Sequence, residues 1–289
     1  MGLDIRGKES FMAITANDVK TLRGRTNAPM MECKTALTES GGDMEKAVDW
    51  LRKKAGSKIG NFAARETAEG RVGICLDTCG AIVEVRCETA PVSKTDQFIQ
   101  LTTEIAKQIA AKNPANVEDL LAQASVAHPG RTIADRVMDV FAILRENIRV
   151  HRFTRLCGLV GEYVHHDGSV GVLLLVEGAK ADPQVLRDVC MHITARNPVS
   201  ATKEDVPADK LAKETEIARE QTTGDPKNKS KPANIIEKII EGKMKTWLAD
   251  NVLLEQPFVK DDTKTVGQLL SASGLKLVKF VRYKVGEIS

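Results

Sequence analysis

Aromatic residues make up only 4% of this 289-residue chain, too few to supply the stacked platforms on which single-stranded nucleic acids are held. The formal net charge of +3 is equally poor support for a nucleic-acid partner, because phosphate backbones are gripped by strong basic fields. No apolar run approaches the roughly 20 residues of a membrane span. Met1–Ser10 are polar, with no apolar signal-peptide centre, so a cytoplasmic location without membrane contact is expected. There is no G-x-x-x-x-G-K-S/T loop, no G-x-S-x-G elbow and no H-E-x-x-H pair, which removes the usual support for phosphate cradling, serine hydrolysis and helix-borne zinc hydrolysis. His165, His166 and His192 have no cysteine or carboxylate at motif spacing. Six cysteines lie mostly inside apolar patterns and read as small buried thiols in a reducing compartment, not as a disulfide framework. Cys75, Cys79 and Cys87 lack paired C-x-x-C spacing, so neither a metal nor a cofactor is expected. By elimination, with no catalytic residue to name, the chain reads as a binding protein.

The stretch from Ala81 to Lys94 carries the clearest organisation. Val83, Val85 and Cys87 alternate with Glu84 and Arg86, the period-2 pattern of a half-buried strand. Pro91 ends the ladder because it has no N–H to donate, and it biases Ala90 toward extended geometry. Ser93 with Asp96 predicts an N-cap, after which Phe98, Leu101, Ile105 and Ile109 repeat at helical spacing. Glu88–Val92 is therefore expected to be exposed between a sheet end and a helix start, where scaffolds often present residues to partners.

Upstream, Thr15 with Asp18, Pro29, Gly41-Gly42 and Asp43 mark the boundaries of three short helices. In the second, Met30, Cys33 and Leu37 share a face, whereas Met31 lies about 100° away and reads either as cover for the bundle edge or as a flexible apolar contact. Residues 53–69 read as a helical connector. An internal repeat follows, its copies about 84–88 residues apart. Strand, turn and strand over Arg71–Cys87 precede a helix ending Ala-Lys-Asn-Pro at 111–114, and the same over Gly158–Glu177 precedes one ending Ala-Arg-Asn-Pro at 195–198. Each copy closes with a further helix and strand, Ile148–Leu156 in the first and Leu277–Val285 in the second. Val170–Val176 is apolar on both faces and predicts a doubly covered central strand. Arg145, Arg149, Arg152 and Arg155 form a basic run that reads as helix-dipole compensation or as a phosphate patch. From Ala208 to Asn251 two charged helices joined by a polar, Pro-containing turn predict a projecting hairpin. The fold class is α+β, divided as an extension at 1–11, a helical bundle at 12–56, a connector at 57–69, and subdomains at 70–156 and 157–289, the hairpin inserted at about 208–251.

Thr15–Lys54 resembles the amino-terminal ubiquitin-associated-like domain of bacterial elongation factor Ts. MHITARNP at 191–198, LLEQPFVKDDTKTVGQLL at 253–270 and FVRYKVGE at 280–287 resemble further signatures of that family, in the same order from about Met12 to Glu287. The resemblance implies a guanine nucleotide exchange factor that binds the GTPase elongation factor Tu in its GDP form and disturbs its magnesium and phosphate site. It implies that Leu22, Met30 and Met31 touch a helix of the GTPase. It also implies that Thr89, Ala90, Pro91 and Val92 form the loop driven in beside the magnesium, and that Ile148, His165 and His192 match positions connected with the partner surface. The family loop usually reads Thr-Asp-Phe-Val, so both the acid and the ring are absent here. The hairpin resembles the family's coiled-coil arm, associated with self-association or a further contact. An alternative is a protein bound to elongation factor Tu or the ribosome with weakened exchange.

Overall fold

The computed structural model describes residues 14–26, 28–63 and 65–287, with backbone alone over 55–63; the expected extension at 1–11 lies outside them. Thr15 and Asp18 cap α1 (Ala16–Thr26) reciprocally, the Thr15 N–H donating to the carboxylate (2.9 Å) and the Asp18 N–H to the hydroxyl (3.2 Å). Pro29 precedes α2 (Met30–Glu39). Gly41 and Gly42 then take φ of +62° and +86°, conformations that glycine adopts without a Cβ penalty. Asp43 accepts from the N–H groups of Glu45 and Lys46 at the start of α3 (Met44–Ala63). Leu22, Cys33, Ala36, Leu37, Ala47 and Leu51 form the bundle core. The core stripe of α2 therefore runs through Cys33, Ala36 and Leu37, and Met30, expected on that stripe, lies outside it. α3 continues well into the stretch expected as a connector, and the first strand opens soon after its end.

β1 (Glu69–Leu76), β2 (Cys79–Cys87) and β3 (Arg149–Cys157) form an antiparallel sheet in that order. Between β2 and β3 run α4 (Ala90–Ser93), α5 (Asp96–Lys112), α6 (Val117–Ala122) and α7 (Ile133–Leu144). The alternation in β2 sends Val83, Val85 and Cys87 into a core with Phe98, Leu101, Ile105 and Ile109 of α5. Thr95, not Ser93, caps α5 by accepting from the Phe98 N–H (3.4 Å). The reason is local: Ala90–Ser93 coils into its own helical turn, and the Ser93 hydroxyl donates back to the Ala90 carbonyl (2.8 Å). Ala90 is thus helical where extended geometry was expected. α7 joins this layer to the bundle, because Asp139 accepts from both Arg52 of α3 and Arg136.

The second sheet, β4 (Leu159–Val164), β5 (Val170–Glu177) and β8 (Lys276–Lys284), is antiparallel with β5 in the middle, as its doubly apolar sequence predicts. Asp182 caps α8 (Pro183–Arg196), whose Leu186, Val189 and Ile193 are buried. The Asn-Pro repeat has a geometric cause. Asn113 and Asn197 end α5 and α8 with φ of +48° and +46°, each donating its N–H to an isoleucine carbonyl one turn back, and the following proline prevents the helix from continuing. α9 (Ala208–Gly224) and α10 (Ala233–Asn251) make the expected hairpin. A small ribbon of β6 (Pro257–Phe258) and β7 (Asp261–Thr265) follows, and then α11 (Val266–Ala272), opened by a Thr265–Gln268 capping box.

The two sheets pack face to face, burying Val72, Ile82 and Leu156 against Leu173 and Tyr283. β2 is consequently not half-buried: Glu84 is 0% exposed. Its carboxylate accepts from Arg86 (2.7 Å), Arg152 (2.6 Å) and the Gly286 N–H (3.2 Å). Removing one partner from such a buried ion cluster costs about 3–5 kcal/mol. Three members of the basic run have internal partners. Arg152 neutralises Glu84, Arg155 donates to the Ala110 carbonyl (3.0 Å) and Arg145 reaches Glu32 (3.4 Å).

One further expectation is corrected. Cys79 and Cys157, paired residues at the ends of β2 and β3, are joined in a disulfide, whereas Cys33, Cys87 and Cys190 are the buried thiols the sequence suggests. His192, matched to the partner surface, is 0% exposed inside the second subdomain. The Val259 N–H donates to its Nδ1 (3.2 Å), which leaves Nε2 as the protonated nitrogen, donating to Gln256 Oε1 (2.8 Å). Burial lowers its pKa first, the Gln256 bond raises it, and Arg196 lowers it again.

The disulfide joins residues 78 apart in the sequence, which on a loop-entropy basis destabilises the unfolded chain by about 4.5 kcal/mol. Cys157→Ser, or treatment with reductant, should lower the thermal midpoint of the oxidised protein by several degrees; an unchanged midpoint on reduction would show that the bond constrains nothing. For His192 the sign follows from the lowered folded pKa. The unfolded chain binds more protons below about pH 6.5, so the stabilisation from a neutral His192 is complete above that pH and is lost as the pH falls. In urea titrations at pH 7.5 and 5.5, His192→Gln should be less sensitive to acid than the parent, and equal sensitivity would contradict this assignment.

Candidate partner-binding surface

Two exposed features stand out from the packed body. The first is the turn between β2 and α5. Thr89 and Pro91 are exposed, Ala90 is half-buried, and Val92 is tucked against the first core. The helical turn is closed by backbone bonds from Lys94 to Pro91 (3.2 Å) and from Thr95 to Val92 (3.1 Å). Pro91 adds a fixed φ, so this is a short rigid knob whose apolar tip is proline.

The knob is held from below by the corner that follows α7. Arg145 turns the chain with φ of +60°. Glu146 accepts from both the Thr89 N–H (3.0 Å) and the Thr89 hydroxyl (2.6 Å). The Asn147 N–H donates to Glu88 (2.7 Å), its side-chain amide to the Arg65 carbonyl (2.9 Å), and the Arg65 guanidinium to Glu88 (3.3 Å). The sequence places Glu88 in the exposed stretch but reveals neither its bond to Asn147 nor the part played by Glu146. No local pattern marks them, because each carboxylate serves a residue far away in the chain.

The second feature is on the bundle. Met30 and Met31 are 55% and 69% exposed. With Ile14 and Val19 they line an open groove whose rim carries Lys20 and Arg23, an arrangement suited to an amphipathic helix with acidic flanks. Leu22 does not reach this surface: it is 0% exposed in the bundle core and can only support the groove from beneath. Ile148 is likewise a core residue, 8% exposed and packed in the first subdomain, because it leads directly into β3. His165 is partly exposed on the β4–β5 turn. Its Nδ1 lies 3.0 Å from Asp167, a carboxylate partner two residues on that the sequence reading overlooked, and its ring lies 4.3 Å from His166. Burial works against the Asp167 carboxylate, but bonds from Ser169 and His165 hold it well below the usual range.

Thus Thr89–Val92 form one site, Met30 and Met31 a second, His165 stands on the other sheet, and Leu22, Ile148 and His192 are interior. Arg145 connects the first two by its ion pair to Glu32 of α2, two residues from Met30. Among the described residues no cluster of three or more His, Cys, Asp or Glu is arranged to hold a metal, and no helix is long and apolar enough to cross a membrane.

The chain is similar to known proteins over nearly its full length. It is 42% identical over 282 residues to an elongation factor Ts of Thioalkalivibrio sulfidiphilus, covering 96% of this chain and 93% of the relative. Elongation factor Ts of Methylococcus capsulatus is 42% identical over 284 residues, covering 96% of this chain and 93% of the relative. That of an Azoarcus strain is 44% identical over 279 residues, covering 95% and 91%. The family model described as Elongation factor TS matches residues 88–287, a span that includes the knob, β3, the second sheet and the hairpin. The chain belongs to the elongation factor Ts family of translation elongation factors.

Proposed function

We propose that the protein is a guanine nucleotide exchange factor that binds GDP-loaded elongation factor Tu and promotes GDP release by disturbing its magnesium and phosphate site. It performs no covalent chemistry of its own. The single observation that best supports this reading is the rigid, outward Thr89–Val92 knob, tied through one corner of the chain to the bundle that presents Met30 and Met31. The groove's apolar lining and basic rim fit a helix of the GTPase with acidic flanks. Self-association through the α9–α10 hairpin is a further contact this reading accommodates, with Ile217 and Ile235 exposed along it.

An exchange factor must bind the nucleotide-free partner more tightly than the GDP form, and by linkage that preference equals its weakening of GDP. A 10,000-fold acceleration corresponds to about 5.5 kcal/mol of preferential stabilisation of the release transition state. Ala90 offers no charge with which to compete for a magnesium ligand, and Pro91 covers less area than an aromatic ring. The work of opening the site therefore falls more on the bundle and on the second subdomain, levering the GTPase as a body. The same two residues favour the second reading, an elongation factor Tu-binding or ribosome-bound protein with weakened exchange. Stopped-flow release of a fluorescent GDP from elongation factor Tu separates the two: acceleration supports exchange, and tight binding without acceleration supports the alternative.

In the same assay Met31→Asp should weaken affinity at least about ten-fold, since a charge buried at a contact without a partner costs several kcal/mol. Circular dichroism of the free variant should be unchanged, because the side chain lies outside the bundle core. Unaltered affinity would remove Met31 from the contact. Pro91→Ala should slow release by less than about ten-fold, or 1.4 kcal/mol; near-complete loss of release with affinity retained would make the knob the decisive wedge.

A further inference from the structure

Thr89 occupies the N-cap position of α4, with φ of −131° and ψ of 148°, yet its side chain makes no capping bond. Threonine in this place ordinarily turns its oxygen onto the helix it precedes. Here the hydroxyl is given to Glu146 instead, and the amide of the same residue goes to the other oxygen of that carboxylate. Two donors of one residue on two oxygens of one anion fix orientation as well as distance, and bonds to an ionised acceptor are stronger than neutral ones.

Glu146 stands between two residues that reach elsewhere. Arg145 pairs with Glu32 on the bundle helix that carries the exposed methionines, and Asn147 is bonded to Glu88 and to the Arg65 carbonyl where the chain enters the first sheet. The order Arg145-Glu146-Asn147 thus grips the bundle, the knob and the sheet end with consecutive residues. One peptide linkage, Arg145–Glu146, separates the contact to the bundle from the contact to the knob.

We infer that Glu146 is a positioning residue for nucleotide exchange: it sets the attitude of the Thr89–Val92 knob relative to the bundle without itself touching the nucleotide. This rests on the exchange reading above. Capture of the GTPase by the methionine groove does not need the knob at a fixed angle, whereas the knob's share in opening the nucleotide site does. Loss of the hold should therefore lower the maximal release rate and spare the concentration at which release is half-saturated.

The test uses the full chain with elongation factor Tu and fluorescent GDP, over a range of exchange-factor concentrations, for the parent, Glu146→Ala, Glu146→Gln, Thr89→Val and the Glu146→Ala/Thr89→Val pair. Hydrogen exchange at the Thr89 amide is followed in each free protein. Glu146→Ala should reduce the maximal rate about ten-fold with half-saturation changed by less than about two-fold, a loss of about 1.4 kcal/mol and so smaller than the two charge-assisted hydrogen bonds removed. Thr89→Val should lose less, the pair no more than Glu146→Ala alone, and Glu146→Gln should recover part of the rate because one acceptor remains. The Thr89 amide should exchange faster without the carboxylate. An unchanged maximal rate despite faster amide exchange would overturn the positioning role, as would a pair whose losses multiply or a change confined to half-saturation. A parent protein that fails to release GDP would instead overturn the exchange reading and the rate claim together, while the amide measurement would still report whether the hold exists.

Discussion

The structure depends on the packing of two three-stranded sheets against each other. A sheet of that size with helices on one side only would leave its other face wet, and here each inner face closes the other. Val72, Ile82 and Leu156 meet Leu173 and Tyr283 at the contact. Glycine permits the approach: a Cβ on Gly171 would lie 2.6 Å from a Val72 methyl, and one on Gly80 2.8 Å from a Val160 methyl. Glu84 lies fully buried at the margin of this contact, held by two arginines of the first sheet and by the backbone just after β8. An ion cluster of this kind adds little net stability, but loss of either arginine would leave the Glu84 carboxylate buried with too few partners.

With that centre fixed, the knob and the methionine groove are peripheral and mounted on it. The knob follows β2, the corner that holds it precedes β3, and the bundle is fastened to α7 through Asp139. Each is a short element tied by named polar bonds to a rigid layer. That arrangement suits a protein whose task is to impose a geometry on a second one, because binding free energy then goes into deforming the partner and not into ordering the binder.

Much of this was legible in the sequence where the cause is local. The caps at Thr15 and Asp43, the doubly apolar β5 and the Asn-Pro helix ends each follow from a few adjacent residues and appear as expected. What was not legible has a distant cause. Glu84 and Arg86 alternate like a wet face, and only the second sheet, far along the chain, makes that face dry. Cys79 and Cys157 are 78 residues apart, and nothing near either cysteine marks the other. Leu22, Ile148 and His192 carried partner roles by resemblance, but position in a family motif does not reveal whether a side chain points out or supports one that does. Met30 was assigned to a core stripe by spacing alone, and the bundle closes over Ala36 instead. Ser93 was a plausible cap until Ala90–Ser93 coiled into a turn of its own.

The central claim is that the knob and the methionine groove engage elongation factor Tu together, as two points on one rigid body. Hydrogen–deuterium exchange of the full chain, free and bound to nucleotide-free elongation factor Tu, tests it most directly. The account requires protection to rise in both the 89–95 and the 30–38 segments on binding, with the inner strands β2 and β5 unchanged between the two states. Protection confined to one of the two segments, or new exposure in β2 or β5, would contradict it.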